Sequence, residues 1–352
     1  MKHWLIKHFP PSTPNIGDCI LNAGTRKIIN TIFENNCDIL SLTSECHALI
    51  NPELLQTPIT PQNTIMKGIT PATLGIGYSP DVVVLGAGPM WRFSALMKIA
   101  PLTIPNLLKR PILVIGVGKF DYSIKSYPEL DQISPAIAIA SARDEKTAQD
   151  MRETLPCPVY MTGCPALYFR GNRITNKPNS SYFVIVYRQA KVPNDFQISL
   201  SFIKKMEQLF QAQAIITFHD FRDYHWSALT QTFEDYPCVC MNDLDSAVDL
   251  YSQAKFVITY RLHGEILSAT SGAPFFHFYI DDRGKYFSET FDPDHRYHYD
   301  LNKGPLTETE LIDKLKLALE SDYEDYNKKI DIARTNRDHF IEHTQKILNV
   351  HS

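Results

Sequence analysis

The sequence predicts an α/β protein of two doubly wound, Rossmann-like domains facing a cleft, and three observations carry that prediction. Short runs rich in Val and Ile recur along the chain, each ending in glycine or a small polar residue. Segments with helical apolar spacing separate them, and the rhythm stops at a polar stretch near the middle and begins again. Alternating strands and helices imply a parallel sheet covered on both faces. The runs are continuously apolar rather than alternating, as strands buried on both sides require. A chain of 352 residues also exceeds the length over which one hydrophobic core usually keeps growing.

Taken in order, the first strands are expected at 3 to 9, 37 to 43, 81 to 88, 111 to 118, 136 to 143 and 159 to 163. The stretch "CPALYFRGNRITNKPNSS" then interrupts the pattern with Asn, Pro, Arg and Ser, as a domain linker does. The second round predicts strands at 181 to 188, 214 to 220, 238 to 241, 256 to 261 and 274 to 280. Helices are expected around 195 to 212, 225 to 233, 244 to 254 and 264 to 271. The domains are therefore placed at 1–172 and 180–305, with C-terminal helices over 306–352 that start at the threonine of "TETELIDKLKLALES" and pack back on them.

Composition narrows the function classes. Thirty-five basic residues against thirty-nine acidic ones leave a formal charge of −4, which provides no general attraction for nucleic acid, so anion recognition must be local. Seven scattered cysteines do not form a secreted disulfide framework, and reduced, mostly buried thiols are expected. The apolar run in "MKHWLIKHFPPSTPN" is too short for a signal peptide, and no stretch approaches the roughly 20 residues needed to span a bilayer. A cytoplasmic protein is expected, and a peripheral contact at the inner face of the membrane needs no spanning helix.

The segment "ITYRLHGEILSATSGAP" places Arg261 and His263 where a strand meets a helix. Ligands of open α/β sheets sit beyond the carboxyl ends of the strands. A chain extended through Leu262 would turn both side chains to one face, and open N–H groups from Gly264 onward would attract an anion. Arg261 offers a planar fork for carboxylate or phosphate, and His263 a proton near neutral pH. The bland alternative pairs Arg261 with Glu265 or Asp281 and sets His263 on a carbonyl.

That segment resembles the signature of the polysaccharide pyruvyl transferase family, an Arg-Leu-His motif between strand and helix followed by Gly-x-Pro and an aromatic strand. "NIGDCIL", "DVVVLGAGPM", "SARDEKT" and "VIVYR" are similar to further family segments, in order, so that the resemblance covers roughly residues 12 to 285. It implies a glycosyltransferase-B-like fold, no metal and no cofactor, and transfer of a pyruvyl group from phosphoenolpyruvate onto a sugar or lipid-linked glycan. His263 and Arg261 are then the catalytic candidates. Arg143, Arg188, Asn15, Gly17, Asp18, Gly86, Gly88, His219, Gly264 and Lys285 are the candidates for binding substrate. Two departures stand out: the glycine-rich turn reads Gly-Ala-Gly-Pro, and Asp281, Asp282 and Arg283 separate Tyr279 from Lys285.

Several residues keep two readings. Asp18 and Asn15 suit either a helix cap or the cleft, and Asp144 suits a helix start. His219 and Asp220 suit an acceptor contact or a surface loop. "CVC" at 238 to 240 lacks a second ligand cluster. Asp243 with Asp245, and Asp292 with Asp294, suit capping and turns. A metal-independent glycosyltransferase using a nucleotide sugar and a non-catalytic glycan-binding relative remain the alternatives, and self-association is left open.

Overall fold

The structure is a computed structural model and describes residues 2–9, 15–41, 80–91, 109–119, 133–176, 179–188, 199–241 and 243–350. Parts of three expectations, the strand end at 42 to 43, the helix start at 195 to 198 and Cys46, lie outside these residues. Two compact units emerge. One comprises Met1–Thr13, Leu21–Phe169 and Asp331–Ser352, and the other Pro14–Ile20 with Arg170–Ile330.

The first unit contains β1 (Trp4–Phe9), most of α1 (Ile16–Ile32), β2 (Cys37–Ser41), β3 (Val82–Trp91), β4 (Ile112–Lys119), β5 (Ile137–Ala142), α2 (Glu145–Thr154) and β6 (Val159–Met161). Its strands form one parallel sheet in the order β2-β1-β3-β4-β5-β6. Every residue of β4 is buried, which is why its sequence runs apolar without alternation. Val83, Leu85, Val114, Ala140, Ala148 and Met151 form one core under α2. Asp144 caps α2 by accepting the Thr147 N–H at 2.8 Å, the helix-start role foreseen for it.

The second unit contains β7 (Tyr182–Tyr187), α3 (Leu200–Phe210), β8 (Gln213–Phe218), α4 (Phe221–Thr230), β9 (Cys238–Cys240), α5 (Leu244–Gln253), β10 (Val257–Thr259), α6 (Leu262–Ser271), β11 (Phe275–Tyr279), α7 (Asp282–Phe291), β12 (His298–Asp300) and α8 (Glu308–Glu320). A last helix, α9 (Glu324–Leu348), begins here and continues in the first unit. The sheet is parallel, in the order β12-β11-β10-β7-β8-β9. Strand-to-helix turns close with aspartate caps, Asp220 on α4, Asp243 on α5 and Asp281 on α7, and Thr307 with Glu310 forms a capping box on α8.

Each predicted strand is present. The sequence reading missed β12 and α7: three residues are too few to show a period, and α7 opens on "DRGK" rather than on an apolar run. Helix α4 starts earlier than expected because Asp220 caps it. Of the cysteines described, only Cys19 and Cys164 are buried, so most thiols are less enclosed than expected. Among the described residues no helix is long and apolar enough to cross a membrane.

Candidate functional site

In the second sheet the order reverses between β7 and β10, which lie side by side although three helices separate them in sequence. Crevices beyond the carboxyl ends of strands at such a reversal are where open α/β sheets take ligands. Val257, Ile258 and Thr259 stand level with Val184, Ile185 and Val186. Continued two residues, that register brings Arg261 level with Arg188. The neighbouring strands add His219 and Asp220 beyond β8, and Asp281 and Arg283 beyond β11.

The chain is not extended through Leu262, the condition under which Arg261 and His263 would turn to one face. Helix α6 begins there, with Arg261 as its N-cap in β conformation and His263 in its first turn. The Thr259 hydroxyl fixes this turn, accepting the Arg261 N–H at 3.0 Å and donating to the Arg261 carbonyl at 2.9 Å. Gly264 leaves room for it, since a Cβ there would fall 2.9 Å from the Thr259 Cβ and closer to its hydroxyl. The Gly264 N–H expected to be open donates to the Arg261 carbonyl at 2.9 Å. The Arg261 guanidinium pairs with Asp223 of α4 rather than with Glu265 or Asp281. Its Nε is buried with no hydrogen-bond partner among the described residues. Burial of an unsatisfied charged donor is costly enough that such an atom marks a place for a ligand or water.

The segment "NIGD" docks on the same corner. Asn15 forms an isolated antiparallel bridge with Asp220, and the Ile16 N–H donates to the His219 carbonyl at 3.1 Å. The cap of α1 is Asn15, whose Oδ1 accepts the Asp18 N–H at 3.0 Å, while Asp18 is buried one turn in. Gly17 lies against the His263 ring. A Cβ at position 17 would fall 2.6 Å from the ring Cγ, nearer still to Nδ1, and 2.8 Å from Asn15 Oδ1. The glycine of the first motif is thus shaped by the histidine of the last, a reason for Gly17 that the sequence did not reveal.

Three guanidinium groups, Arg188, Arg261 and Arg283, follow neighbouring strands at this corner, and carboxylates offset two of them. Arg188 makes no hydrogen bond among the described residues. Burial, with Arg261 and Arg283 nearby, pushes its guanidinium down to about 10. Arg283 is held by Asp281, Nε at 3.2 Å and Nη2 at 2.5 Å. Burial opposes ionisation of Asp281, yet Arg283 and Arg188 hold it down to about 2. His219 is buried rather than in a surface loop, its Nε2 2.7 Å from the Tyr251 hydroxyl and its Nδ1 without a hydrogen-bond partner among the described residues. Burial, Arg261 and His263 push it well below the usual histidine range, so its ring is neutral at pH 7. Asp220 caps α4 and pairs with Arg222.

Other predicted residues stand elsewhere. In the first unit Arg143 is 1% exposed, paired with Asp144 at 3.4 Å, and its guanidinium lies against Gly118. Gly86 and Gly88 are in β3; the His8 ring leaves no space for a Cβ at Gly86, and Gly88 has φ 76°. In the second unit Lys285 rests its Nζ 5.2 Å from the Tyr286 ring centroid on α7. Cys238 and Cys240 share β9. Asp245 pairs with Arg170, and Asp294 with Arg296.

A buried network behind α6 was not anticipated. Glu265 accepts from His277 at 2.6 Å, from His298 at 2.8 Å and from the Tyr326 hydroxyl at 2.7 Å, and Asp292 holds the other side of His298 at 2.7 Å. Burial opposes both charges, but each sustains the other: Glu265 is held down to about 2 and His298 up to about 9. Glu265, His277 and His298 are also ligand types for a metal. Tetrahedral zinc with bonds of about 2.0–2.1 Å spaces its ligands roughly 3.3 Å apart, wider than these direct hydrogen bonds.

A protein-family model described as polysaccharide pyruvyl transferase matches residues 15–282. No curated protein matches by sequence. Among solved structures, S. aureus MnaA in complex with UDP is similar with TM-score 0.62 at 12% identity over 99% of this chain and 97% of that one. UDP-GlcNAc 2-epimerase from Neisseria meningitidis bound to UDP-GlcNAc follows at 0.61 and 13%, over 97% and 99%. The glycotransferase of kitacinnamycin gives 0.53 and 12%, over 99% and 100%. These likenesses show the fold, two parallel-sheet α/β domains of glycosyltransferase-B type.

Proposed function

Because the chain belongs to the polysaccharide pyruvyl transferase family, we propose that it transfers the pyruvyl group of phosphoenolpyruvate to a pair of sugar hydroxyls on a glycan or lipid-linked precursor, forming a ketal and releasing phosphate. The observation that carries this reading is the corner at the β7/β10 reversal, where Arg188 and Arg261 follow neighbouring strands and His263 lies in the helical turn that Arg261 caps. A small donor with a carboxylate and a phosphate needs several cations, each charge-assisted hydrogen bond contributing about 1.5–3 kcal/mol.

Chemistry starts with proton transfer from His263 to the methylene carbon, which leaves a cation-like centre at the adjacent carbon. One sugar hydroxyl adds there and loses its proton. Phosphate then departs with the electrons of its C–O bond, stabilised by guanidinium, and the second hydroxyl closes the ketal as its proton passes to water. Neutral His219, with Tyr251 at its back, suits a contact to an acceptor hydroxyl. No metal or cofactor enters these steps, which suit a cytoplasmic enzyme acting at the inner membrane face.

Phosphate release from phosphoenolpyruvate that depends on an added glycan tests the reading, with His263→Ala expected to lower it about 10²–10⁴-fold. Turnover intact in that variant refutes the acid role. The likeness to UDP-bound folds supports a nucleotide-sugar glycosyltransferase as the second reading. Stabilisation by uridine diphosphate but not by phosphoenolpyruvate in a thermal melt favours it.

A further inference from the structure

Arg283 lies in the stretch that departs from the family pattern, where Asp281, Asp282 and Arg283 fall between Tyr279 and Lys285. Strands β11, β10 and β7 are consecutive neighbours in a parallel sheet, so their carboxyl ends open on one edge. Arg188 follows β7 directly and Arg261 follows β10 by one residue beyond Tyr260. Beyond β11 the first guanidinium is Arg283, in the opening turn of α7.

Asp281 fixes it there. That carboxylate caps α7 through the Gly284 N–H at 3.3 Å and grips Arg283 through Nε and Nη2. Gly284 packs on the Tyr279 side chain, a Cβ there falling 3.1 Å from its Cγ, so the turn cannot drift from the strand end. The Arg283 side chain is 24% exposed, within reach of a solute. Lys285 points its Nζ at Tyr286 on the same helix.

We propose that Arg283, steadied by Asp281, is the third guanidinium of the anion site, contacting an oxyanion of a small substrate that carries both carboxylate and phosphate, in the place that sequence spacing gives to Lys285. The inference deepens the donor assignment above and rests on it. Asp281 and Asp223 offset two of the three guanidinium charges, which keeps their self-repulsion bearable. A planar fork held at two nitrogens also loses less side-chain freedom on binding than a lysine stem.

Titration calorimetry of the full chain with phosphoenolpyruvate and with inorganic phosphate tests it. Wild type is compared with Arg188→Met, Arg283→Met, Arg283→Lys and Lys285→Met. Arg283→Met is expected to weaken phosphoenolpyruvate binding about tenfold or more, the loss of one charge-assisted hydrogen bond, and to weaken it more than Lys285→Met does. Arg283→Lys retains the charge and loses the fork, so it should fall between; it carries the test if Arg283→Met does not fold. Wild-type affinity in the Arg283 variants, or a larger loss from Lys285→Met, overturns this assignment while donor binding itself stands. Failure of wild type to bind phosphoenolpyruvate at all removes the donor reading and this inference with it.

Discussion

Replacing Gly17 with alanine probes the link between the first and last motifs of the site. The new Cβ would lie 2.6 Å from the His263 Cγ and nearer still to Nδ1, and ordinary contact begins near 3.4 Å, so the ring must withdraw by more than about 0.8 Å or the first turn of α1 must shift. Overpacking costs about 1–3 kcal/mol, while alanine in place of a helical glycine returns about 1 kcal/mol. The net is a loss of no more than about 2 kcal/mol. Catalysis has no such compensation, because displacing a reacting group by 1 Å costs about 10²-fold. Glycan-dependent phosphate release should therefore fall about a hundredfold while urea unfolding shows a stability loss of no more than about 2 kcal/mol. In a His263→Ala background the same change should cost almost nothing further, since the two residues act as one unit. Imidazole NMR gives a readout without an acceptor, the His263 signal shifting in Gly17→Ala. Activity within threefold of wild type together with an unmoved His263 signal would refute the coupling.

Further expectations concern neighbouring groups. Arg261→Lys keeps the charge but loses the fork that meets Asp223, so phosphoenolpyruvate should bind about tenfold more weakly by calorimetry, and unchanged affinity counts against the donor contact. Glu265→Ala leaves His277, His298 and Tyr326 without their acceptor and should destabilise the protein by about 3–5 kcal/mol in urea unfolding; a loss under 1 kcal/mol would show the network to be dispensable. The same network sets a pH window. His298 is held up to about 9, so its stabilisation is complete below the unfolded value near 6.5 and is lost as pH rises through about 9. Glu265 is held down to about 2, so its share is complete above the unfolded value near 4.3 and is lost as pH falls toward about 2. His277, pushed down by burial, stabilises above its unfolded value near 6.5 and loses that share as pH falls, so urea midpoints should peak near pH 6.5, and Glu265→Gln should flatten the curve; an identical profile in that variant assigns the pH dependence elsewhere.

Sequence by itself determined the strands, their parallel pairing class and the positions of Arg188, Arg261 and His263 at strand ends, because burial on both faces and the strand-to-helix switch leave a periodic trace that local residues carry. It also located the helix starts where Asp144 and Thr307 sit, since capping is a matter of three or four residues. Tertiary structure alone decided which strand ends become neighbours: β7 and β10 meet only because the order of the sheet reverses between them. It decided that Asp223, not the nearer Glu265, meets Arg261, and that Glu265 turns instead to His277 and His298. Pairings of that kind depend on distances between residues far apart in the chain, which no local pattern encodes. Gly17 shows the division most plainly: its identity is written in the sequence, but its reason, the ring of His263, exists only once the two segments are folded together.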